Sequence, residues 1–174
     1  MTELLLNEAA YKKVIQEAIP GAKRFVWIAT ADLKDLHVET TKGRYVPFVS
    51  VLADLVSSGV GVRLIHAKEP GPRFRKDFDR FPDLIHSDLF ERVLCPRMHA
   101  KMVIVDGRSA YLGSANLTGA GIGAKSVNRR NFEAGVFLTD PKMVSELCEY
   151  FDEFWIGNSC IKCGRRDVCP DPIV

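Results

Sequence analysis

The sequence predicts an α/β fold in which a mixed, largely parallel β-sheet is flanked by helices on both faces. Short apolar runs alternate with segments of helical periodicity, and this alternation is typical of strand–helix–strand units. The clearest unit runs from the apolar stretch 24–30, through the helical pattern of 47–59, to the apolar stretch 60–67. Because the connections are short, this unit predicts two neighbouring parallel strands.

The remaining elements follow from local start, stop and turn signals. Pro20-Gly21 ends a segment of helical periodicity, and Asp106-Gly107 between two short β-rich runs predicts a hairpin. Asp140 is a favourable N-cap for the last helix, followed by Pro141 at its first position. The predicted helices are 7–19, 47–59 and 140–155, the strands are 24–30, 60–67, 90–95, 99–105, 109–113 and 132–139, and the loops include 31–45 and 68–82.

Composition and charge are those of a soluble globular domain. The 174 residues suffice for one full core, and 47% are apolar while 26% are charged. A net charge of +2 is too small to require a nucleic-acid partner by itself. The N-terminus lacks the pattern of a signal peptide, and no apolar run approaches the roughly 18 residues that span a bilayer. We therefore expect a cytoplasmic protein without membrane contact.

Polar side chains stand together at the ends of the predicted hairpin strands. His99 and Lys101 are two residues apart at the start of an otherwise apolar strand, so they share one face. The partner strand leads into Ser114 and Asn116, which are also two apart. A fixed cation and two hydrogen-bond donors beside a histidine suit a phosphate group whose oxygens gain negative charge. Glu133 is the candidate carboxylate to fix the histidine tautomer.

Three separated motifs stand in order along this region: His99-Ala100-Lys101 with Asp106, then Gly113-Ser114-Ala115-Asn116, then Asn131-Phe132-Glu133. They resemble the signature of the phospholipase D superfamily, His-x-Lys-x4-Asp followed by Gly-Ser-x-Asn and a later Asn-x-Glu segment. The match is specific because all three motifs occur in the right order. The resemblance implies the phospholipase D/nuclease fold and a catalytic domain over residues 1–157.

The resemblance also implies a role for each matched position. His99 would attack phosphorus and form a covalent phosphohistidine, and Glu133 would orient it. The phosphate oxygens would be bound by Lys101, Ser114 and Asn116. Such chemistry would need no catalytic metal. Asp106 lies on the opposite strand face by parity, so we expect it to make a structural contact.

The implied mechanism needs two histidines, one to attack and one to protonate the leaving oxygen. The chain has one motif copy, and His37, His66 and His86 are not followed by a lysine at the proper spacing. We therefore expect a two-fold homodimer with both motifs at the shared axis. Small single-copy members of the family look like nucleases or phosphodiesterases, whereas its lipid-acting enzymes usually carry two copies in a longer chain.

Two basic clusters on predicted loops could contact a nucleic-acid backbone. The first contains Arg73, Arg75, Lys76 and Arg80, and the second contains Arg129 and Arg130 beside Lys125. Either cluster could instead be a solvated surface. Phe74 and Phe78, which lie among the first cluster, could stack on bases or pack within a helix.

The leading hypothesis is therefore a dimeric, metal-independent nuclease, with DNA favoured over RNA as its substrate. A phospholipase or phosphatidyl transferase is the second hypothesis. A non-catalytic nucleic-acid-binding module on the same fold is the third.

The C-terminal segment 158–174 carries a separate signal, Cys160-x2-Cys163-x5-Cys169-Pro170. Three thiols at this spacing resemble the iron–sulfur segments of some DNA-processing nucleases and glycosylases. Cys148 is the expected fourth ligand, with Cys95 as the alternative. We expect a structural 4Fe–4S cluster here; zinc is the alternative metal, and a segment that binds no metal is the third alternative.

Overall fold

The protein is described by a computed structural model that covers residues 1–34 and 36–173, with only the backbone of Lys42. Its strands are β1 (Thr2–Leu6), β2 (Phe25–Thr30), β3 (Leu33–Lys34), β4 (His37–Glu39), β5 (Tyr45–Pro47), β6 (Gly61–His66), β7 (Phe90–Leu94), β8 (Met102–Val105), β9 (Ser109–Gly113), β10 (Leu117–Thr118) and β11 (Ala134–Leu138). Seven of them form one sheet in the order β1-β11-β9-β8-β2-β6-β7. The short strands β3 and β10 pair with each other, as do β4 and β5.

The sheet is mixed, as the sequence predicts. The crossover strands β2 and β6 are parallel neighbours, and β7 joins β6 in the same direction. The hairpin strands β8 and β9 are antiparallel, and β8 also runs antiparallel to β2. Five of the seven strands share one direction because only β8 and β11 are reversed.

Helices cover both faces of the sheet. They are α1, which begins at Glu8–Ala10 and continues as a π-helix over Tyr11–Ala18, α2 (Phe48–Ser57), α3 (Pro72–Phe78), α4 (Pro82–Ile85) and α5 (Pro141–Trp155). Helices α1 to α4 pack on one face with Val26 and Ile28 of β2. Helix α5 packs on the other face with Ala29 and Trp27. This alternation along one strand is the period of two that divides a buried strand between two cores. Among the described residues no helix is long and apolar enough to cross a bilayer.

The N-terminal strand β1 was not predicted from the sequence. It lies at the edge of the sheet, paired only with β11, and only Leu5 of its five residues is buried. A strand that is exposed on one face and along one edge shows little burial pattern, so its strand character comes from pairing with a distant segment.

The prediction of a loop over residues 68–82 is wrong, because α3 and part of α4 form there. Pro72 occupies the first turn of α3, where its missing N–H leaves no helical bond unmade. Phe74 and Phe78 are buried, with ring centroids 6.2 Å apart. The two rings therefore pack in the core and do not offer their faces to nucleic-acid bases.

The strand predicted over 99–105 begins only at Met102, so His99 and Lys101 precede it. A turn in which the Met98 N–H donates to the Cys95 carbonyl at 2.8 Å interrupts the extended backbone just upstream. The Gly113 N–H donates to the Lys101 carbonyl at 3.1 Å and ties this segment to the end of β9. His99 and Lys101 therefore occupy the segment that leads into β8.

Asp106 makes the structural contact expected of it. Its Oδ1 accepts hydrogen bonds from the backbone N–H groups of Arg24 at 2.7 Å and Phe25 at 3.0 Å, and its Oδ2 accepts one from Lys23 at 3.0 Å. The residue has a positive φ of 56° in the β8–β9 turn. The carboxylate thus joins the hairpin turn to the start of β2.

We predict that Asp106→Ala lowers the free energy of unfolding at neutral pH by about 1–2 kcal/mol, because three backbone donors lose a charged acceptor. Burial would raise the pKa of the Asp106 carboxyl, but the N–H groups of Phe25, Arg24 and Lys23 outweigh it and hold this pKa below its usual value. The stabilisation by Asp106 should therefore be present above the unfolded pKa of about 3.9 and lost as pH falls through the lower folded pKa.

Urea denaturation of the two proteins between neutral and acid pH checks this expectation. Replacement of the exposed Asp88 by Ala is the control for loss of an aspartate at the surface. Equal stability of wild-type and Asp106→Ala at neutral pH would contradict the role assigned to this carboxylate.

Candidate active site

His99 and Lys101 are in direct contact. The Lys101 ammonium Nζ lies 3.0 Å from Nδ1 and 3.2 Å from Nε2 of the His99 imidazole. Lys101 is only 9% exposed, whereas the His99 ring is open to solvent. A buried cation is costly unless it has polar partners, so this ammonium is well placed to attract an anion to the exposed face of the imidazole.

Asn116 is fixed by the loop that follows β2. Its Oδ1 accepts hydrogen bonds from the backbone N–H groups of Ala31 and Asp32, both at 3.1 Å. The buried Thr30 hydroxyl completes this junction by accepting a bond from the Leu117 N–H at 3.1 Å. Because the carbonyl oxygen of Asn116 is occupied, its amide nitrogen is the atom left to donate to a phosphate oxygen.

Ser114 and Glu133 form a hydrogen-bonded pair in which the serine hydroxyl donates to the carboxylate. The Asn131 amide also donates to Glu133, at 3.1 Å, and the Ser114 hydroxyl oxygen accepts a bond from the Ala134 N–H at 3.1 Å. Among the described residues no hydrogen bond joins Glu133 to His99. Within one chain, therefore, the Glu133 carboxylate orients Ser114. The expected orientation of His99 by Glu133 is not supported by a direct hydrogen bond between the described residues.

The sheet brings these motif residues to the same end of its strands, which we call the sheet edge. Lys101 immediately precedes β8, and Ser114 immediately follows β9, its hairpin partner. Glu133 immediately precedes β11, which pairs with β9, and the Ser114 N–H donates to the Ala134 carbonyl at 3.0 Å. Asn116 contacts the loop at the end of β2, next to β8. The motif residues thus lie at the ends of neighbouring strands, and Lys101 among them contacts the exposed His99 imidazole.

Tyr111 supports this edge from beneath, which the sequence did not indicate. A Cβ added at Gly113 would collide with its hydroxyl, and one added at Gly135 would come within 2.5 Å of its Cε2. Burial raises the pKa of the Tyr111 phenol, so the ring stays neutral in this position. Glycine is therefore required at both positions so that the ring can underlie the ends of β9 and β11.

Asn7 is a second supporting residue that the motifs do not include. Its side-chain oxygen accepts a hydrogen bond from the Glu133 N–H at 3.2 Å, and its own N–H donates to the Glu133 carbonyl at 2.9 Å. The end of β1 therefore fixes the backbone of the catalytic carboxylate candidate. Only the pairing of β1 with β11 reveals this contact.

The first basic cluster lies on α3 and just after it, and it is partly neutralised. The Arg75 Nε lies 2.9 Å from Asp79 Oδ1, and its Nη1 lies 3.8 Å from Glu69 Oε2. Arg73 and Lys76 stand on the same helix. The local acidic residues reduce the positive potential that this cluster offers to a phosphate backbone.

The two arginines of the second basic cluster have different surroundings. Arg130 is paired with Glu8 of α1, with Nη2 2.9 Å from Oε2, so it stabilises the fold around the N-terminal helix. Arg129 is exposed and lines an open groove of about 340 Å³ together with Lys125 and Tyr45. Arg129 and Lys125 of this cluster therefore line the groove, whereas Arg130 is engaged by Glu8.

The predicted metal ligands are Cys148, Cys160, Cys163 and Cys169, and Cys148 does not join the other three. Cys148 packs against the core beneath α5, whereas the three tail cysteines border a small cavity of about 20 Å³ whose other wall contains Cys95. In the part of the chain that the structure describes, no group of three or more His, Cys, Asp or Glu side chains is arranged to hold a metal ion. The structure therefore supports neither an iron–sulfur cluster nor zinc at the predicted set.

The cysteines differ in their surroundings. The Arg165 N–H and the Arg97 guanidinium lower the pKa of the Cys163 thiol, and an Arg97 nitrogen lies 3.6 Å from its sulfur. Burial raises the pKa of Cys148. All five cysteines are free thiols. The tail is thus attached near the His99 segment by polar contacts from Arg97 and by packing.

The chain is similar to known proteins both in sequence and in fold. Residues 15–155 match the family described as "Cardiolipin synthase, PLD-like domain". A cardiolipin synthase of Geobacillus thermodenitrificans is 29% identical over 153 residues, which cover 80% of this chain but only 26% of that protein. The chain therefore spans about a quarter of the length of this curated relative.

Two solved structures share the fold at low sequence identity. Nuc from Salmonella typhimurium, described as a phospholipase D family member, has a TM-score of 0.63 and 16% identity, with 89% of this chain and 93% of Nuc covered. TrmBL2, an archaeal chromatin protein, has a TM-score of 0.59 and 16% identity, with 88% and 52% covered. With a family match over most of its length, the chain belongs to the phospholipase D-like domain family.

Proposed function

We propose that this chain is a metal-independent phosphodiesterase that cleaves nucleic acid through a phosphohistidine at a homodimeric active site. The catalytic domain would comprise residues 1–157, with 158–174 as an appended segment. The observation that carries the proposal is the contact between the buried Lys101 ammonium and the exposed His99 ring. The Asn116 amide nitrogen is available to donate to a phosphate oxygen, and the Ser114 hydroxyl would become a second donor by leaving Glu133.

The reaction proceeds in two displacements. A nitrogen of His99 attacks phosphorus with its lone pair, the bond from phosphorus to the leaving oxygen breaks, and the partner subunit's His99 gives that oxygen a proton. Water then attacks phosphorus while the partner subunit's His99 takes its proton, and the nitrogen–phosphorus bond breaks to release the phosphate product. Lys101 and the neighbouring donors stabilise the negative charge that gathers on the phosphate oxygens in both transition states.

The requirement for a second copy is supported by an apolar surface beside the site. Leu4 and Leu6 of β1 are 66% and 51% exposed, although both lie in the sheet. Leu4 is opposite Val136, which is opposite Leu112, so these side chains form a row on one sheet face. Exposed apolar rows of this kind favour burial in an interface. A second copy on this face would lie next to the edge that carries Ser114 and Glu133.

Nucleic acid is favoured as the substrate by the groove around Arg129. Two cationic side chains, Arg129 and Lys125, and the exposed ring of Tyr45 line it, and this combination suits a phosphate backbone with adjacent bases. TrmBL2, an archaeal chromatin protein with a novel mode of DNA binding, has the same fold. These observations favour DNA as the first substrate to test.

A phospholipase or phosphatidyl transferase is the second candidate, favoured by the similarity to a cardiolipin synthase. The same histidine and lysine would attack a lipid phosphodiester by the same steps. A non-catalytic binding module, the third candidate, would have no use for the contact between His99 and Lys101. Direct assay of the substrates separates all three.

We predict that the protein cleaves DNA or RNA in EDTA and that His99→Ala lowers the rate at least about a thousandfold, because the nucleophile is lost. Binding of DNA should be retained, since Lys101 and the groove are unchanged. A panel of single-stranded DNA, duplex DNA, RNA and cardiolipin vesicles provides the measurement. His86→Ala, on the exposed end of α4, is the matched control. Cleavage by His99→Ala at the wild-type rate would exclude the proposed nucleophile.

We predict that Leu112→Glu converts a dimer into a monomer and reduces cleavage at least about tenfold, because a charge would be buried in the interface. Analytical ultracentrifugation and the cleavage rate report the two effects. Ile85→Glu, at a partly exposed position of α4 on the other side of the molecule, is the control. A wild-type protein that is monomeric at concentrations where it is fully active would contradict the shared active site.

We predict that Arg129→Ala weakens DNA binding and reduces the slope of log affinity against log salt by about 1, because one phosphate contact is removed. Fluorescence anisotropy between about 50 and 200 mM salt measures this slope. Lys142→Ala, at the exposed start of α5, should leave the slope unchanged. An unchanged slope for Arg129→Ala would remove the groove from the proposed binding path.

A further inference from the structure

A cavity of about 270 Å³ lies beside His99, and the reaction described above does not use it. Its floor contains Ile65, Met98 and Ala100, on the face of the sheet covered by α5. One wall is formed by Tyr150 and Phe154 from the last turns of that helix. The tail closes another side with its cysteines and Ile173. The cavity is therefore built from three separate parts of the chain and reaches the nucleophile.

The helix wall presents two aromatic rings. Tyr150 and Phe154 have ring centroids 4.6 Å apart at an interplanar angle of 82°, an edge-to-face pair. Tyr150 is 50% exposed, so part of its ring is open to solvent beside the cavity. An exposed ring face next to an apolar floor is a surface on which a flat, uncharged ring can stack.

Polar groups stand at the rim and not in the floor. The Asp171 carboxylate is fixed because its Oδ2 accepts a hydrogen bond from the Leu94 N–H at 2.8 Å. Its other oxygen is then the atom that can accept a bond from a ligand donor. The Arg97 guanidinium, held near Cys163, contributes a cation at the same rim. The cavity thus combines apolar walls with one fixed acceptor and one cation.

These features match a nucleobase. A base has apolar faces for the rings, and the amino groups on its edge are donors for a carboxylate. The volume is slightly below the roughly 300–1,000 Å³ of sites for drug-sized ligands, so it suits one ring system. A segment of acyl chain would match the floor but would make no use of the Asp171 carboxylate, which has no donor to meet on such a chain.

We propose that this cavity binds one unstacked nucleobase next to the phosphate that His99 attacks. The inference rests on the proposed cleavage of nucleic acid, and it adds a preference of the active site for single-stranded substrate. A base within a duplex cannot enter a side cavity without leaving its stack, so the substrate is single-stranded at that nucleotide. The tail, which closes the cavity, is then part of the substrate site.

Single-stranded oligonucleotides in which one base at a time is replaced by an abasic residue test the proposal. Wild-type protein should lose about tenfold in kcat/KM when the missing base is at one particular position beside the cleaved phosphate. Tyr150→Ala should cleave the intact oligonucleotide about tenfold more slowly and should show no further loss on the abasic substrate. Met143→Ala, also exposed on α5 but outside the cavity, should behave as wild type.

Three outcomes would overturn the proposal. If wild-type protein cleaves every abasic substrate as fast as the intact one, the cavity holds no base, while the proposed nuclease function stands. If Tyr150→Ala affects only turnover of cardiolipin vesicles and not of oligonucleotides, the cavity holds an acyl chain. If no oligonucleotide is cleaved at all, the proposed function fails, and this inference fails with it.

Discussion

The site depends on a buried lysine whose ammonium lies against a solvent-exposed imidazole. Lys101 is held in place because its carbonyl accepts a bond from the end of β9 and because β8, which follows it, is buried on both faces. A cation at this depth is poorly solvated, and an anionic ligand relieves that cost more than bulk water does. Burial of Lys101 destabilises the fold, but it strengthens the attraction of the ammonium for a phosphate group. It also fixes the position at which His99 contacts that phosphate.

Local patterns were sufficient to predict the crossover, the hairpin and both helical layers. They failed for β1 and α3, and also for the short strands β3 and β4 within the predicted loop 31–45. β1 and β3 pair with distant segments of the chain, which local patterns do not indicate. Only one side chain of β1 is buried, and α3 lies within a segment whose prolines, glycine and charges resemble a loop. Motif spacing likewise predicted the residues of the site but not their contacts. Glu133 bonds to Ser114 and Asn131, and those bonds arise from the pairing of β9 with β11.

The number of basic residues and cysteines in a segment did not predict which of them contact one another, because those contacts depend on their positions in the fold. Arg130 and Arg75 belong to basic clusters in the sequence, yet each is paired with a carboxylate from another turn or helix. Cys148 is close to the tail cysteines in sequence, but it lies on a helix face that packs into the core, while Cys95 faces the tail. The tail returns to the segment before His99 and so brings its cysteines to Cys95. Distance along the sequence does not predict this contact.

A phosphohistidine at His99 can be detected by rapid quenching of a reaction with a labelled oligonucleotide, followed by intact-mass and peptide analysis under alkaline conditions. We expect a transient adduct on His99 whose nitrogen–phosphorus bond survives alkali and is lost in acid. Turnover that proceeds with no adduct on His99 at any time point, or with an adduct on another residue, would contradict it.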